Sequence, residues 1–442
     1  MKEQKIGFWS STSLVMGNMI GSGIFLLPAA LAFYGGISIF GWIFTTAGSI
    51  FLALVFARLS RIIKDPGGPY AYSRESSGKF PGFLVAWGYW VSIWCGNAAI
   101  AVAGTGYLGS LIPALADNKV LSAILSIAVL WIFTLINTRR IRIIAKVQVL
   151  ATIIKILPLL VMGTIGFLYF NPENFRPLNL SGVSDIKAVT ACAALTLWAF
   201  LGLESATIPS DRVKQPERTI PLSTIAGTLL SAIVFIASTT AVMGIIKPSA
   251  LAMSESPFSD AAGILWGDTA AALFALAAVI SCYGALNGWI LLQGQIPLAA
   301  ANDKLFPSAF SRLSKKSAPV FGLIFSSILA SLLVSINYSR GLIGMFSFII
   351  RLSTLTVLLP YVLSAIAELL LYTRGKREAT KKKLIAAMIT GIPAFLYSLW
   401  AVVGLGFEVI SWGILLLLTG IPVYIFMIRK DSGSASPGSP SG

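Results

Sequence analysis

Gly17-Asn18-Met19-Ile20-Gly21-Ser22-Gly23 lies inside an apolar segment running from about residue 8 to residue 33. Glycine costs a helix about 1 kcal/mol relative to alanine, so three glycines and an asparagine in seven residues weaken the helix locally. In hydrocarbon, every backbone group released by a break must find another partner. Two readings follow. If the helix is broken, the amides that open its second half face a cavity, and the positive end of that half-helix suits an anion such as a carboxylate. If it is straight, Gly17 and Gly21 form a packing seam of small residues four apart.

The rest of the chain decides the setting. Of its 442 residues 56% are hydrophobic and 11% charged, and a mean hydropathy of +0.84 excludes a soluble domain. Twelve segments are long and apolar enough to span a bilayer: 8–33, 37–57, 83–112, 120–138, 147–170, 188–208, 221–246, 268–297, 319–337, 342–372, 384–405 and 410–428. With the N-terminus inside, 26 of the 33 lysines and arginines fall on the cytoplasmic side. Lys119, Arg176, Lys187, Lys247 and Arg340 fall on the other side, and Lys155 and Arg351 within spans. That bias predicts an even number of spans with both termini cytoplasmic. The net charge of +16 is therefore a topology signal, and its dispersal over short loops argues against a nucleic-acid partner. Membrane lipid is the expected surrounding.

Cys95, Cys192 and Cys282 fall in predicted spans without a CxxC pair and read as packing residues. The short basic N-terminus leads directly into the first span, so no cleavable signal peptide is expected. Residues 431–442, rich in Ser, Gly and Pro, read as a disordered tail or an expression remnant. Residues 1–430 read as one domain.

A second irregular point lies in the sixth span, at Trp198-Ala199-Phe200-Leu201-Gly202-Leu203-Glu204-Ser205. It carries Glu204, and charge at that depth must face protein or water. Spans 1–5 (residues 7–170) and 6–10 (residues 188–372) would then each open with an interrupted helix, the pattern of an inverted repeat with a binding site at the midplane. Spans 11 and 12 (residues 384–428) stand outside the repeat. The pairing favours the broken-helix reading of Gly17–Gly23.

The motif Gly17–Pro28, the loop Pro66-Gly67-Gly68-Pro69-Tyr70-Ala71-Tyr72, Gly96-Asn97, Leu197–Ser205 and Gly288-Trp289 resemble the amino acid–polyamine–organocation transporters. They are most similar to the bacterial arginine/agmatine antiporters and their putrescine/ornithine and lysine/cadaverine relatives. The resemblance runs from about Ile6 to Lys430. It implies an all-α membrane protein with a five-plus-five inverted repeat, broken first and sixth helices and two extra C-terminal helices. The implied function is alternating-access exchange of a cationic amino acid, such as arginine, for its decarboxylated amine, such as agmatine. No cofactor or metal is implied.

Carried over by position, the resemblance implies that the substrate carboxylate sits against Gly21-Ser22-Gly23, with Ser22 as hydroxyl donor. Carbonyls of Met19, Trp198 and Leu201 would hold the substrate's ammonium group. Trp289 would stack on a guanidinium that Asn97 and Ser353 hydrogen-bond, a cation–π contact worth about 0.5–2 kcal/mol. Trp198, Tyr89 and Tyr361 correspond to gating aromatics. Tyr89 and Asn97, eight residues apart, lie within about 80° on one helix face, so both can line one cavity. Glu204 is the expected proton- or pH-sensing residue, because a carboxyl group at depth can change charge in a mildly acidic range. It also reads as a structural carboxylate bridging the break. The chain has no histidine, which excludes an imidazole switch.

Lys155 departs from the antiporter pattern. Nine residues past Lys146, it lies about 13 Å along the helix, near the middle of a roughly 30 Å core. It should face the interior and need a partner. Proton-coupled amino acid transporters and the light subunits of heteromeric exchangers carry a lysine there, where sodium-coupled relatives hold a cation. Lys155 reads as a fixed charge bracing span 1, as a proton carrier, or as a harmless interior lysine. Arg351 lies about 200° round the helix from Ser353 and is expected to face away from substrate; facing inward, it would imply an acidic substrate. Asn287 adds a polar group where the family has a small one. The rival functions are a proton-linked or exchanging carrier of neutral amino acids that uses Lys155, and an ion channel. A membrane enzyme lacks any nucleophile–base or metal cluster to build on. The resemblance further implies a homodimer, the bacterial inner membrane, and coupling to a cytoplasmic amino acid decarboxylase.

Overall fold

The computed structural model describes residues 5–434 apart from 22, 110, 140, 255, 341–342, 379 and 406. Its labelled helices are α1 (Phe8–Met19), α2 (Gly23–Ala32), α3 (Ser38–Ile62), α4 (Pro69–Ser77), α5 (Lys79–Gly109), α6 (Lys119–Asn137), α7 (Ile141–Thr164) and α8 (Asp185–Leu197). There follow α9 (Pro216–Ile245), α10 (Asp268–Asn302), α11 (Val320–Arg340), α12 (Ile343–Thr373), α13 (Lys381–Gly404), α14 (Phe407–Leu418) and α15 (Ile421–Ser434). Ten helical segments among the described residues are long and apolar enough to cross a membrane. The pair α1 and α2, bent by 40° at its break, makes eleven. The ninth predicted span corresponds to α11, whose apolar part Val320–Ile336 is shorter than those ten.

Both irregular points are breaks. α1 stops at Met19, Ile20 leaves helical geometry with ψ 88°, and α2 opens at Gly23. In the sixth span α8 ends at Leu197, a 3₁₀ turn covers Trp198–Phe200, and Leu201 is extended with ψ 135°. Gly202 then takes φ +100°, a conformation that a side chain strongly disfavours. A Cβ there would also lie 2.9 Å from the Asn18 Cβ, so the two breaks meet at this glycine. The chain beyond it continues as short 3₁₀ turns, Ser205–Thr207 and Ser210–Arg212.

Segments predicted to share a side of the membrane do meet. On the face of the N-terminus, Ile6 pairs with Val213, Arg58 makes a two-pronged ion pair with Glu368, and Arg74 pairs with Asp65 and Asp303. On the opposite face, the amide of Ile37 donates to Leu178 O at 2.8 Å and that of Asn171 to Gly244 O at 3.0 Å. Two boundaries differ from expectation. The Pro66–Tyr72 stretch runs into a helix, α4, because Pro69 at its first turn needs no amide partner. The last predicted span divides at Thr419-Gly420, and α15 runs to Ser434, four residues into the predicted tail. Residues 435–442 lie outside the described residues.

Candidate functional site

The breaks frame a cavity, about 490 Å³ of empty space when the open space at its mouth is included. Asn18, Met19, Gly21 and Gly23 line it from the first break, Trp198 and Leu201 from the second. α5 contributes Ser92, Ile93, Gly96 and Ile100, α10 contributes Trp289, and α12 contributes Ser353 and Val357. Six sequence-predicted residues are thus brought together: Met19, Gly23, Trp198, Leu201, Trp289 and Ser353. Ser22 lies outside the described residues, and so does the side chain of Arg351.

Polar contacts fix this frame. Asn18 Nδ2 donates to Ser205 Oγ at 2.8 Å, and Ser205 Oγ donates to Gly202 O at 2.5 Å, which sews one break to the other. The Trp289 indole N–H donates to Asn18 O at 3.2 Å, so its ring is pinned beside the first break. Ser353 Oγ donates to Ser92 O at 2.9 Å. No acidic residue is among the described lining residues.

Asn97 is placed differently from expectation. It is fully buried but does not line the cavity: its Nδ2 donates to Gln293 Oε1 at 2.7 Å. Gln293 in turn donates to Ser327 Oγ at 2.9 Å, so Asn97 belongs to a junction of α5, α10 and α11. The residue before it, Gly96, forms the cavity wall. Tyr89 also misses the wall. Its hydroxyl and that of Tyr361 both donate to the carboxyl oxygens of Glu204, and Gly202 N donates to Tyr361 Oη at 3.2 Å. All three side chains are fully buried. On α5, Tyr89 precedes the lining residues Ser92–Ile100, and the helix starts on the N-terminal face. The Tyr89–Glu204–Tyr361 cluster therefore lies toward that face from the cavity, and Trp198 is half-buried in the cavity wall.

Lys155 finds the partner its depth demands. Its Nζ donates to Gly17 O and Ile20 O, each at 2.5 Å, at the carbonyl end of α1. A cation there satisfies carbonyls that the break leaves without amide partners and complements the negative end of the helix. Ser281 of α10 donates to Ile20 O and Gly21 O at 3.3 Å, completing the cap. Asn287 Nδ2 donates to Gln148 Oε1 at 2.8 Å, away from the cavity, so this departure does not reshape the pocket. Sequence reasoning gave no role to Asn18, Ser205 or Ser281. Asn18 stood within the quoted motif, and the rarity of an amide in a span was its signal.

Interrupted helices meeting at a central chamber, inside a bundle of membrane-spanning helices, define a membrane carrier. A family model described as amino acid permease matches residues 6–430, and the chain belongs to that family, within the amino acid–polyamine–organocation superfamily. It is similar to the cadaverine/lysine antiporter of Escherichia coli, 34% identical over 369 residues that cover 82% of this chain and 83% of the relative. It is also similar to the putrescine transporter PotE of Haemophilus influenzae, 33% identical over 430 residues, with 97% and 98% covered. The protein is a transporter of this family, not an enzyme.

Proposed function

We propose that the chain exchanges a cationic amino acid for its decarboxylated amine by alternating access. The observation that supports this reading is the chamber itself, lined by residues of both breaks and by Trp289. The amides at Gly21–Gly23, with Ser22, would take the carboxylate, and carbonyls of Met19, Trp198 and Leu201 the ammonium. Such an arrangement recognises the shared end of an amino acid. Trp289 and Ser353 would take the far end of the side chain. Arginine with agmatine is the pair best suited to an indole face, which stacks a planar guanidinium. Lysine with cadaverine is the pair named for one relative and is the second arm of any test.

In this reading the bundle has twelve spans, α11 being the ninth, arranged as two inverted sets of five with α13 and α14–α15 outside them. Both termini lie in the cytoplasm of a bacterium, whose inner membrane holds the protein as a homodimer. Tyr89, Trp198 and Tyr361 act as gates, and Glu204 changes protonation as the closed face opens. With a cytoplasmic decarboxylase supplying the amine, each exchange removes a proton from the cell.

A second reading, a carrier of neutral amino acids that couples to protons through Lys155, draws on the lack of an acidic group among the described lining residues. Counterflow separates the two. Purified protein in liposomes loaded with unlabelled arginine, agmatine, lysine or cadaverine should take up labelled arginine or lysine. Failure with all four, together with alanine or leucine uptake driven by a pH gradient, would reject exchange in favour of the second reading. Unitary conductance in a planar bilayer would reject both in favour of a channel. Trp289→Ala should weaken binding of the cationic amino acid by about two- to thirtyfold in calorimetry. Unchanged affinity would remove Trp289 from the site.

A further inference from the structure

Two buried polar atoms beside the first break have no hydrogen-bond partner among the described residues, Gln148 Nε2 on α7 and Asn18 Oδ1 on α1. Their side chains belong to residues that are 1% and 3% exposed. One atom is a donor, the other an acceptor, and they border the same slot. A Cβ on Gly288 would lie 1.8 Å from Asn18 Oδ1 and 3.1 Å from Gln148 Nε2, so the two atoms are no farther apart than those lengths laid end to end. A Cβ on Gly17 would lie 1.9 Å from Gln148 Nε2. Gly17 and Gly288 thus leave the space that the glutamine amide fills, a use for the first glycine of the motif that the break alone does not supply. We propose that Gln148 is a positioning residue of the carrier, whose amide donates to Asn18 Oδ1 and so holds the first break against the second.

The bonds on either side fix which end of each amide faces the slot. A backbone carbonyl can only accept. Asn287 Nδ2 donates to Ile144 O at 3.4 Å and to Gln148 Oε1 at 2.8 Å, so Gln148 must turn its donor the other way, into the slot. From the opposite direction, Ser205 Oγ gives its proton to Gly202 O and is left to accept from Asn18 Nδ2, so Asn18 must turn its acceptor into the slot. Two runs of hydrogen bonds, each anchored on a backbone carbonyl, therefore arrive as donor and acceptor. A reversal in either would have set like groups against each other. Closing the slot needs only the terminal amide torsions, which are broad in both residue types, and it relieves two buried polar groups that are costly to leave unpaired.

The rest of α7 addresses the same helix. Gln148, Thr152 and Lys155 follow at intervals of four and three residues and share one stripe. Thr152 Oγ1 donates to Ser13 O at 3.1 Å, and Lys155 Nζ to Gly17 O and Ile20 O, so these two grip the backbone of α1. Gln148 faces a side chain instead, the one tied to Ser205 across the breaks. With the slot closed, bonds run from Asn137 of α6 through Asn287, Gln148, Asn18 and Ser205 to Gly202 O. Asn18 also lines the chamber, and its carbonyl pins Trp289. Released from Gln148, the Asn18 amide would have to be ordered when substrate binds, which lowers affinity. With the chamber as the substrate site, as proposed above, any amino acid it takes would feel the change.

The test is a double-mutant cycle in the full-length protein, read by calorimetry with arginine and with lysine. Gln148→Met should weaken binding of whichever amino acid the parent protein binds by about five- to tenfold, the value of one hydrogen bond, but by less than about twofold once Asn18→Ala is present. A glutamine that only packs, or only accepts from Asn287, would give the same loss in both backgrounds, and that result would overturn the proposal. So would unchanged affinity in Gln148→Met. If that variant does not fold, Gln148→Asn, whose amide is one methylene short of the slot, carries the same expectation. Thermal melting of the four proteins reads the coupling without a substrate. The downward shift from Gln148→Met should be smaller in the Asn18→Ala background, and equal shifts would overturn the proposal even where the parent binds neither amino acid, a result that by itself would defeat only the exchange reading.

Discussion

Lys155→Met is expected to lower stability by about 3–5 kcal/mol and to abolish counterflow at every pH. The ammonium makes two short hydrogen bonds, to Gly17 O and Ile20 O, in a fully buried position. Charge-assisted hydrogen bonds contribute about 1.5–3 kcal/mol each, and methionine fills the space without replacing either. Gly17 O and Ile20 O would then be left in a buried interior, with Ser281 alone among the described residues near enough to serve Ile20 O. The end of α1 would lose its fixed position, and the first wall of the chamber with it. Thermal melting and arginine or lysine counterflow check both parts. A variant that still exchanges but no longer takes up substrate under a pH gradient would assign Lys155 to proton coupling instead of bracing.

Gly288→Ala should cost about 2–4 kcal/mol and leave little functional carrier. An added Cβ would lie 1.8 Å from Asn18 Oδ1 and 3.1 Å from Gln148 Nε2. Asn18 cannot yield without releasing Ser205, the bond that ties the two breaks. Overpacking costs about 1–3 kcal/mol and the broken hydrogen bond about 1 more. Gly106→Ala in α5 provides the contrast, since a Cβ there meets nothing within 4 Å. It should raise stability by up to about 1 kcal/mol through helix propensity alone. Thermal melting of the two variants beside the parent protein should show shifts of opposite sign.

How much of this was legible beforehand depended on whether a feature is local. The breaks at Gly17–Gly23 and Trp198–Ser205 could be read because glycine, asparagine and glutamate are costly inside a span wherever the chain goes. The depth of Lys155 could be read from helix rise. Its acceptors could not, because two carbonyls more than a hundred residues away leave no mark in composition. Asn97 shows the same limit. Counting angles put it on the face of Tyr89, but a helix face about 80° wide touches more than the chamber, and Gln293 of α10 claimed its amide. Tyr89 and Tyr361 were singled out as aromatic gates, yet it is their hydroxyls, converging on Glu204, that explain their burial. That convergence involves three distant segments and only appears once they are packed.

The most direct measurement is a cryo-electron microscopy map of the protein in nanodiscs with the amino acid that counterflow selects. The expected map has ligand density in the chamber, its carboxylate against Gly21–Gly23 and its ammonium against the carbonyls of Trp198 and Leu201, with Trp289 beside the side chain. Continuous helix through Gly21 and Gly202, or ligand density away from both, would contradict it.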